Sequence, residues 1–402
     1  MGKNQLDYVG RYKNIEDDYL KIKDKSGITH SKKQKKQIAI LHPFFGYGGS
    51  EAVCIKFIEA LMDDFRIDLI TNYGKVNMKR INRFYGTHFS SNDFRIIQTR
   101  GYLSGYPLGY TLKSHIVQKY FKKYKTRYDF AISTNNEMDF GKEGIQYIHF
   151  PSMHDAEIKN NIYRKFYYKI CVGLSSYNKE GMKKNITLVN SYWTKEKVSE
   201  IYGIESKVVY PPIENVAKLP WDKKEDGFLC IGRIWPEKRI ENLIEILREV
   251  RKKYPYIHLH IVGPVISKEY LKKIYSFTRN DKDWIYYDLN LSRSEIKELI
   301  SRHKYGIHAM KEEHFGMVVA EMVKAGCIVF VPNGGGQLEI VGYEESIVYK
   351  NQEDAIGKVK QMIGTEIIQK KVLKKLHSLG NHFSEKMFAK DIKDTINSFV
   401  QS

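Results

Sequence analysis

The stretch EEHFGMVVAEMVKAGCIVFVPNGGGQLEIV, residues 312–341, sets two carboxylates eight positions apart around a Phe-Gly step and follows them with an apolar run and three consecutive glycines. Its first part reads as a small apolar helix starting near Gly316, and CIVFVP reads as a strand buried on both faces. If the helix begins there, its unpaired amides and dipole suit a phosphate. Glu313 then precedes the helix in a loop, and Glu321 lies roughly 7–8 Å further along the axis at ~1.5 Å per residue. That separation lets the two carboxylates accept from hydroxyls at opposite ends of an elongated ligand. The plainer alternative is two surface glutamates, one of them in the first turns of a helix, where acidic residues are favoured.

Working outward, the same alternation of short β-branched runs and helical periodicity fills most of the chain. QIAILHPF, RIDLIT, FRIIQT, YDFAIST, IQYIHF, NITLVNS and SKVVYP read as strands before residue 210. GFLCIGR, HLHIVGP, WIYYDL, YGIHAM, CIVFVP and SIVYK read as strands after residue 226, with helices expected at about 239–253, about 268–279, from Ser292 and from Gly316. Near-continuous apolar strands separated by helices are the doubly wound α/β pattern. Between the two runs, YPPIENVAKLPWDKKEDG (210–227) holds three prolines and mixed charge without a period, which makes it the linker. The expected organisation is a charged extension over 1–36, one Rossmann-like domain over 37–214, a second over 215–380, and a closing helix over 381–402 that packs back on the first domain. One short helix is expected within the extension, around residues 15–22.

At 402 residues the chain exceeds the size at which one core stops growing, which agrees with two domains. Its four cysteines, Cys54, Cys171, Cys230 and Cys327, form no CxxC pair, which fits a reducing compartment. No apolar run reaches the ~18 residues needed to cross a bilayer, and the first residues lack a signal-peptide core. The expected location is therefore cytoplasmic, peripheral on the cytoplasmic face of a membrane. Net charge is +19, and it is uneven: residues 1–210 carry 35 Lys+Arg against 21 Asp+Glu, a net of +14, leaving 31 against 26, or +5, for the rest. Such an excess attracts anionic lipid, phosphorylated substrates or nucleic acid.

Further stretches carry chemistry. In FFGYGGSEAV, directly after the first strand, Gly46, Gly48 and Gly49 let the backbone approach a ligand closely, although the spacing is not that of a dinucleotide site. In CIGRIWPEKRIENL, Arg233 follows the first strand of the second domain and Lys238 comes five residues later; an Arg–Lys pair at strand ends can clamp a diphosphate. Asp281 and Asp283 in DKD have the Asp-x-Asp spacing of metal-dependent transferases but lie in a charged turn, and no metal is expected.

Taken together, these residues resemble retaining glycosyltransferase family 4. The long stretch quoted first resembles the family's Glu-x7-Glu signature, and GGSEAV (48–53), YIHFP (147–151), VNSYWTKEKV (189–198), VVYPPI (208–213), IGRIWPEK (231–238) and HIVGP (260–264) follow in the family's order. EHFGMVVAEMVKAG, NGGG, YIHFP and VYPP look most like the α-mannosyltransferases that extend lipid-linked oligosaccharides from GDP-mannose. The resemblance covers most of residues 37–350 and implies a GT-B fold, two Rossmann-like domains facing a cleft. It also implies roles. Arg233 and Lys238 fall where the donor diphosphate is neutralised, Glu313 where a carboxylate meets sugar hydroxyls, and Glu321 where one binds the ribose. Phe315, Gly316 and Met317 would give backbone contacts, Gly48 and Gly49 would close over the β-phosphate, Gly263 would stand among the donor contacts, and His149 would sit beside the reacting sugar. Catalysis would rest on Glu313, His149, Lys238 and Arg233, with no cofactor and no metal.

Paired carboxylates also suit a glycosidase, but the phosphate-binding features argue for transfer. The partners expected are a nucleotide-sugar donor, a lipid-linked or other glycan acceptor and an anionic membrane, without nucleic acid. A UDP-sugar donor with a soluble or cell-wall polymer acceptor stays open. So does, from another class, a basic RNA-binding or scaffold protein on a degenerate fold, although no RNP, zinc-finger or KH signature occurs. Two aromatic and lysine-rich helical stripes, HIVQKYFKKYKTRY and IYRKFYYKIC, either pack on the sheet or form a surface that meets lipid.

Overall fold

The computed structural model describes residues 35–46, 48–72, 76–99, 109–153 and 162–401. The helix expected around residues 15–22 lies outside the described residues. Residues 36–402 form one unit built on two sheets. The first comprises β1 (Gln37–Leu41), β2 (Arg66–Thr71), β3 (Arg95–Gln98), β4 (Phe130–Ser133), β5 (Ile145–Ile148), β6 (Ile186–Val189) and β7 (Lys207–Val208), in the order β3-β2-β1-β4-β5-β6-β7. The second comprises β8 (Glu225–Ile231), β9 (His258–Gly263), β10 (Ile285–Leu289), β11 (His303–Ile307), β12 (Ile328–Pro332) and β13 (Val348–Tyr349), in the order β10-β9-β8-β11-β12-β13. Every named pairing in both sheets is parallel.

Every strand expected from the sequence is present, and the reason is physical. In a parallel sheet covered by helices on both faces the strand side chains are buried on both sides, so Ile38, Ala39, Ile40 and Leu41 of β1 and all of Ile328–Val331 in β12 are fully enclosed. The order reverses at β1/β4 and at β8/β11. These are the topological switch points, where loops at the carboxyl ends of strands diverge and leave a crevice.

The helices start where local chemistry tells them to. Ser191 Oγ accepts from the Thr194 amide and Ser292 Oγ from the Glu295 amide, each capping an orphan N–H. The last helix, Glu385–Gln401, returns to the first sheet: Phe388, Ile392 and Ile396 are buried in its core, with Phe388 edge-on to Phe57 at 5.2 Å. The two aromatic stripes diverge. In the Tyr110–Tyr124 helix Val117 and Phe121 are fully buried beneath the sheet, whereas the Ile162–Ser175 helix leaves Tyr163 82% and Phe166 67% exposed.

Candidate active site

The second sheet presents its carboxyl ends as a set of close-packed loops. Beyond β8 and β9, Gly232 and Gly263 meet: the Gly232 amide donates to Val262 O at 2.9 Å, and a Cβ on Gly263 would fall 2.0 Å from Gly232 O. Gly263 therefore makes loop contact possible, and this packing is its observed part. After Gly232 the chain exposes Arg233, which has no hydrogen bond or ion pair among the described residues, and turns through a 3-10 segment, Pro236–Lys238. Gly232, Arg233, Lys238 and His308 line one small opening.

Lys238 points back into the site. Its Nζ lies 2.6 Å from Glu313 Oε2 and 3.4 Å from Met310 Sδ. The same carboxylate oxygen accepts from His308 Nε2 at 3.0 Å. Burial alone would raise the Glu313 pKa, but the His308 hydrogen bond and the Lys238 charge outweigh it and hold the carboxyl well below the usual range. Glu313 is thus an anion fixed between a cation and an imidazole. His308 was not singled out from the sequence; its place at the end of YGIHAM, one residue past β11, was the available signal, since strand ends build α/β sites.

The loop that carries Glu313 is held from beneath by the triple glycine. Gly335 has φ +76°, and a Cβ there would lie 2.4 Å from Glu313 O; a Cβ on Gly336 would lie 2.3 Å from His314 O. The Gly336 amide donates to Glu313 O at 2.8 Å, and Gln337 Nε2 donates to Met310 O at 2.8 Å. Backbone packs on backbone here, and any side chain would lift the Glu313 loop away.

The helix starts where the sequence places it. Gly316, with φ +98°, leads into Met317–Lys324. Phe315 turns inward against Tyr210 and Phe383, so only its backbone faces the crevice. Glu321 is buried within this helix, and both its oxygens are taken by the Arg293 guanidinium, Nη1 at 3.0 Å from Oε2 and Nη2 in closer contact with Oε1. Arg293, flanked by Glu214, opens the helix after β10. Nothing local in the sequence marks it.

From the first domain, the glycine loop lies against this helix: a Cβ on Gly49 would meet Met317 Sδ at 2.7 Å. The loop is not empty. The buried Glu51 carboxylate folds back to accept from the amides of Gly46 at 2.6 Å and Gly48 at 2.9 Å and from Ser50 Oγ at 3.0 Å. Glu51 is the N3 residue of the Gly49–Leu61 helix, a position where glutamate caps, and that spacing was the readable sign.

His149 directly follows β5 and donates from Nε2 to Thr134 O at 3.2 Å; burial pushes its pKa down to about 4, so it is a neutral imidazole. His42, beside it at the end of β1, is likewise neutral, its pKa pushed down to about 3 by burial. The two domains are stitched at this level. His314 stacks on Phe150 at 4.3 Å, its carbonyl accepts from Ser191 Oγ at 2.7 Å, and Glu339 accepts from the amides of Tyr192 and Trp193, both at 3.0 Å. The structure therefore brings Arg233, Lys238, Glu313, Phe315, Gly316, Met317 and Glu321 to one wall of a crevice, and Gly48, Gly49 and His149 to the other. The Asp-x-Asp pair stands apart, with Asp281 engaged by Arg248 and Trp284 and Asp283 by Arg251.

Residues 213–377 match the family model described as glycosyl transferases group 1. That stretch is 165 of the 402 residues and holds the second sheet. The chain is 24% identical over 304 residues to GDP-Man:Man(3)GlcNAc(2)-PP-Dol alpha-1,2-mannosyltransferase of Dictyostelium discoideum, covering 64% of this chain and 60% of that protein. It is 27% identical over 184 residues to the Homo sapiens protein of the same name, covering 41% of this chain and 37% of the relative. The chain thus spans less than two thirds of the length of these relatives. Among solved structures, sucrose-phosphate synthase from Thermosynechococcus elongatus superposes with a TM-score of 0.70 at 14% identity, over 92% of this chain and all of the other. Anabaena HepE in complex with UDP and glucose gives 0.67 at 13%, over 90% of this chain and all of the other. The two sheets and their helices therefore have the GT-B fold.

Proposed function

We propose that this protein transfers mannose from GDP-mannose to a lipid-linked glycan at a membrane surface, with retention of anomeric configuration. The observation that carries the reading is the Lys238–Glu313–His308 cluster beside the start of the Met317–Lys324 helix. As the anomeric carbon–oxygen bond breaks, negative charge grows on the departing diphosphate and positive charge on the ring. Lys238, the exposed Arg233 and the helix-end amides oppose the first, and they are oriented beforehand. Glu313, kept ionised, accepts from sugar hydroxyls and faces the developing positive charge. Glu321 binds the ribose through lone pairs that Arg293 leaves over, since each carboxylate oxygen has two. His149, neutral and with its Nε2 proton committed to Thr134 O, offers Nδ1 to the sugar. The leaving phosphate takes the acceptor's proton on the same face, so neither glutamate need be a nucleophile.

Mannose, the guanine nucleotide and the lipid-linked acceptor are those of the related mannosyltransferases. Calorimetry with GDP-mannose, GDP, UDP-glucose and UDP tests the donor. Binding of GDP-mannose with weaker or absent UDP-glucose binding is expected; the reverse order would replace the proposed donor.

The membrane arm rests on the Ile162–Ser175 helix. Ile162, Tyr163, Phe166 and Ile170 are exposed, beside Arg164, Lys165 and Lys169. An outward apolar face edged with cations suits an anionic bilayer, at about 1 kcal/mol for each basic residue near the surface. Flotation on vesicles containing phosphatidylserine should show salt-sensitive binding that Phe166→Ser weakens. Equal flotation on neutral vesicles would reject the electrostatic part.

A further inference from the structure

The opposite edge of the second sheet holds a second cluster of chemistry, remote from the crevice because parallel strands begin where it lies and end at the donor loops. Glu225, His258 and His303 are the first residues of β8, β9 and β11, and His260 follows on the same face of β9. The two outer strands flank β8, and their histidines meet above Gly227: a Cβ there would stand 2.2 Å from His258 Nε2 and 2.6 Å from His303 Cδ2. The missing side chain is what lets the three imidazoles converge. Each of them offers a ring nitrogen within 4.8 Å of the other two.

The protons are already arranged for coordination. His303 Nδ1 donates to Leu299 O at 2.7 Å and His260 Nδ1 donates to Asp288 Oδ2 at 2.6 Å. Both acceptors fix the proton on Nδ1 and leave Nε2 with a bare lone pair, the outer hydrogen bonding that orients metal-binding histidines. His258 Nε2 and His303 Nε2 stand 3.2 Å apart, and Glu225 Oε2 is 3.5 Å from the first and 3.7 Å from the second. A tetrahedral ion with bonds of about 2.0–2.1 Å requires ligand atoms about 3.3 Å apart, so these three atoms already outline one face of its shell. The other oxygen of Glu225 is held by Arg302 at 2.7 Å, which steadies the carboxylate and leaves Oε2 unoccupied by that cation. Tyr286 stacks on His260 at 4.9 Å and covers the group from outside.

We infer that His258, His260, His303 and Glu225 form a binding site for one borderline divalent transition-metal ion, Zn2+ foremost, that ties β8, β9 and β11 together. Imidazole nitrogens with one carboxylate suit Zn2+, Co2+, Ni2+ or Cu2+ rather than Mg2+ or Ca2+. The site takes no part in sugar transfer; it locks the strands whose far ends carry Gly232, Gly263 and His308.

The test uses the untagged full-length chain, stripped with chelator and titrated with Co2+ and then Zn2+. One equivalent of Co2+ with the intense visible absorption of a tetrahedral site, displaced by Zn2+, is expected, together with a Zn2+-dependent rise in Tm. Glu225→Gln should weaken Zn2+ affinity about 10- to 100-fold, and the double variant His258→Gln/His260→Asn should abolish the Co2+ spectrum. Absence of the spectrum in the parent chain overturns the proposal, and so does an unchanged spectrum and stoichiometry in the double variant. If the double variant does not fold, Glu225→Gln decides alone, and unchanged affinity overturns the site.

Discussion

The two walls of the crevice are built on opposite electrostatic plans. The wall from the second domain is charged and internally paired, Lys238 with Glu313 and Arg293 with Glu321, while Arg233 at the rim has no ion pair among the described residues. The wall from the first offers no cation there: the buried His42 and His149 are uncharged, and the Glu51 carboxylate is taken up by the amides of its own glycine loop. A charged wall with exchangeable pairs can release a cation to an incoming diphosphate. A wall without a free charge tolerates an uncharged hydroxyl without competing for the diphosphate. On the proposed function, the difference supports donor binding by the second domain and acceptor binding by the first.

Acid should separate the walls with the largest effect. Outside the His258–His260–His303 cluster, the buried imidazoles with lowered pKa among the described residues are His42 at about 3, His149 at about 4 and, in the Tyr110–Tyr124 helix behind the first wall, His115 at about 4. Unfolded histidine titrates near 6.5, so below that pH the unfolded chain binds protons that these rings refuse. Stability is then complete above about 6.5 and falls with pH, by up to about 1.4 kcal/mol per unit for each ring and about 4 kcal/mol per unit for three. The Glu313 contribution, from a depressed carboxylate, begins to fade only below about 4.3. Denaturant midpoints at pH 7 and pH 5 should differ strongly, and His115→Gln should shrink the gap. Equal midpoints would erase the distinction between the walls.

Next in size is Glu313→Gln. On the proposed function it removes the anion that would face the sugar, and it is expected to lower turnover by about 10^2- to 10^3-fold, the scale of losing one preorganised electrostatic contact. Because it also frees Lys238, GDP affinity should hold or improve. A parallel loss of GDP affinity would move Glu313 onto the nucleotide. Lys238→Ala gives the complementary result: GDP affinity falls by about 1.5–3 kcal/mol, roughly 10- to 150-fold, by loss of a charge-assisted contact. Unchanged affinity in calorimetry would take Lys238 out of the donor site.

These pairs also mark where sequence reading ends. The strands, the helix start at Gly316 and the placement of Glu313 and Lys238 were legible, because apolar runs, glycine and strand-end position are local signals. The partners were not. His308 is five residues from Glu313 and Arg293 is 28 from Glu321, and an ion pair depends on side-chain directions that only packing sets. The glycines divide in the same way. NGGG was visible as a glycine-rich loop, but that Gly335 and Gly336 press on the carbonyls of residues 313 and 314 required the fold. The two aromatic stripes look alike as sequence, yet one is core and the other surface, since periodicity gives a face without saying what covers it.

The smallest expected effect tests how the walls touch. Gly49 meets Met317 through the end of a flexible thioether, whereas Gly335 meets backbone at positive φ. Gly49→Ala should therefore cost below about 1 kcal/mol in stability, because Met317 can change rotamer. If the walls close through this contact, the variant slows turnover modestly, and Met317→Ala, which vacates the space, restores the rate in the double variant. Additive losses in that cycle would mean that the two residues act separately, and the glycine would then serve the loop that Glu51 already caps rather than the closure of the crevice.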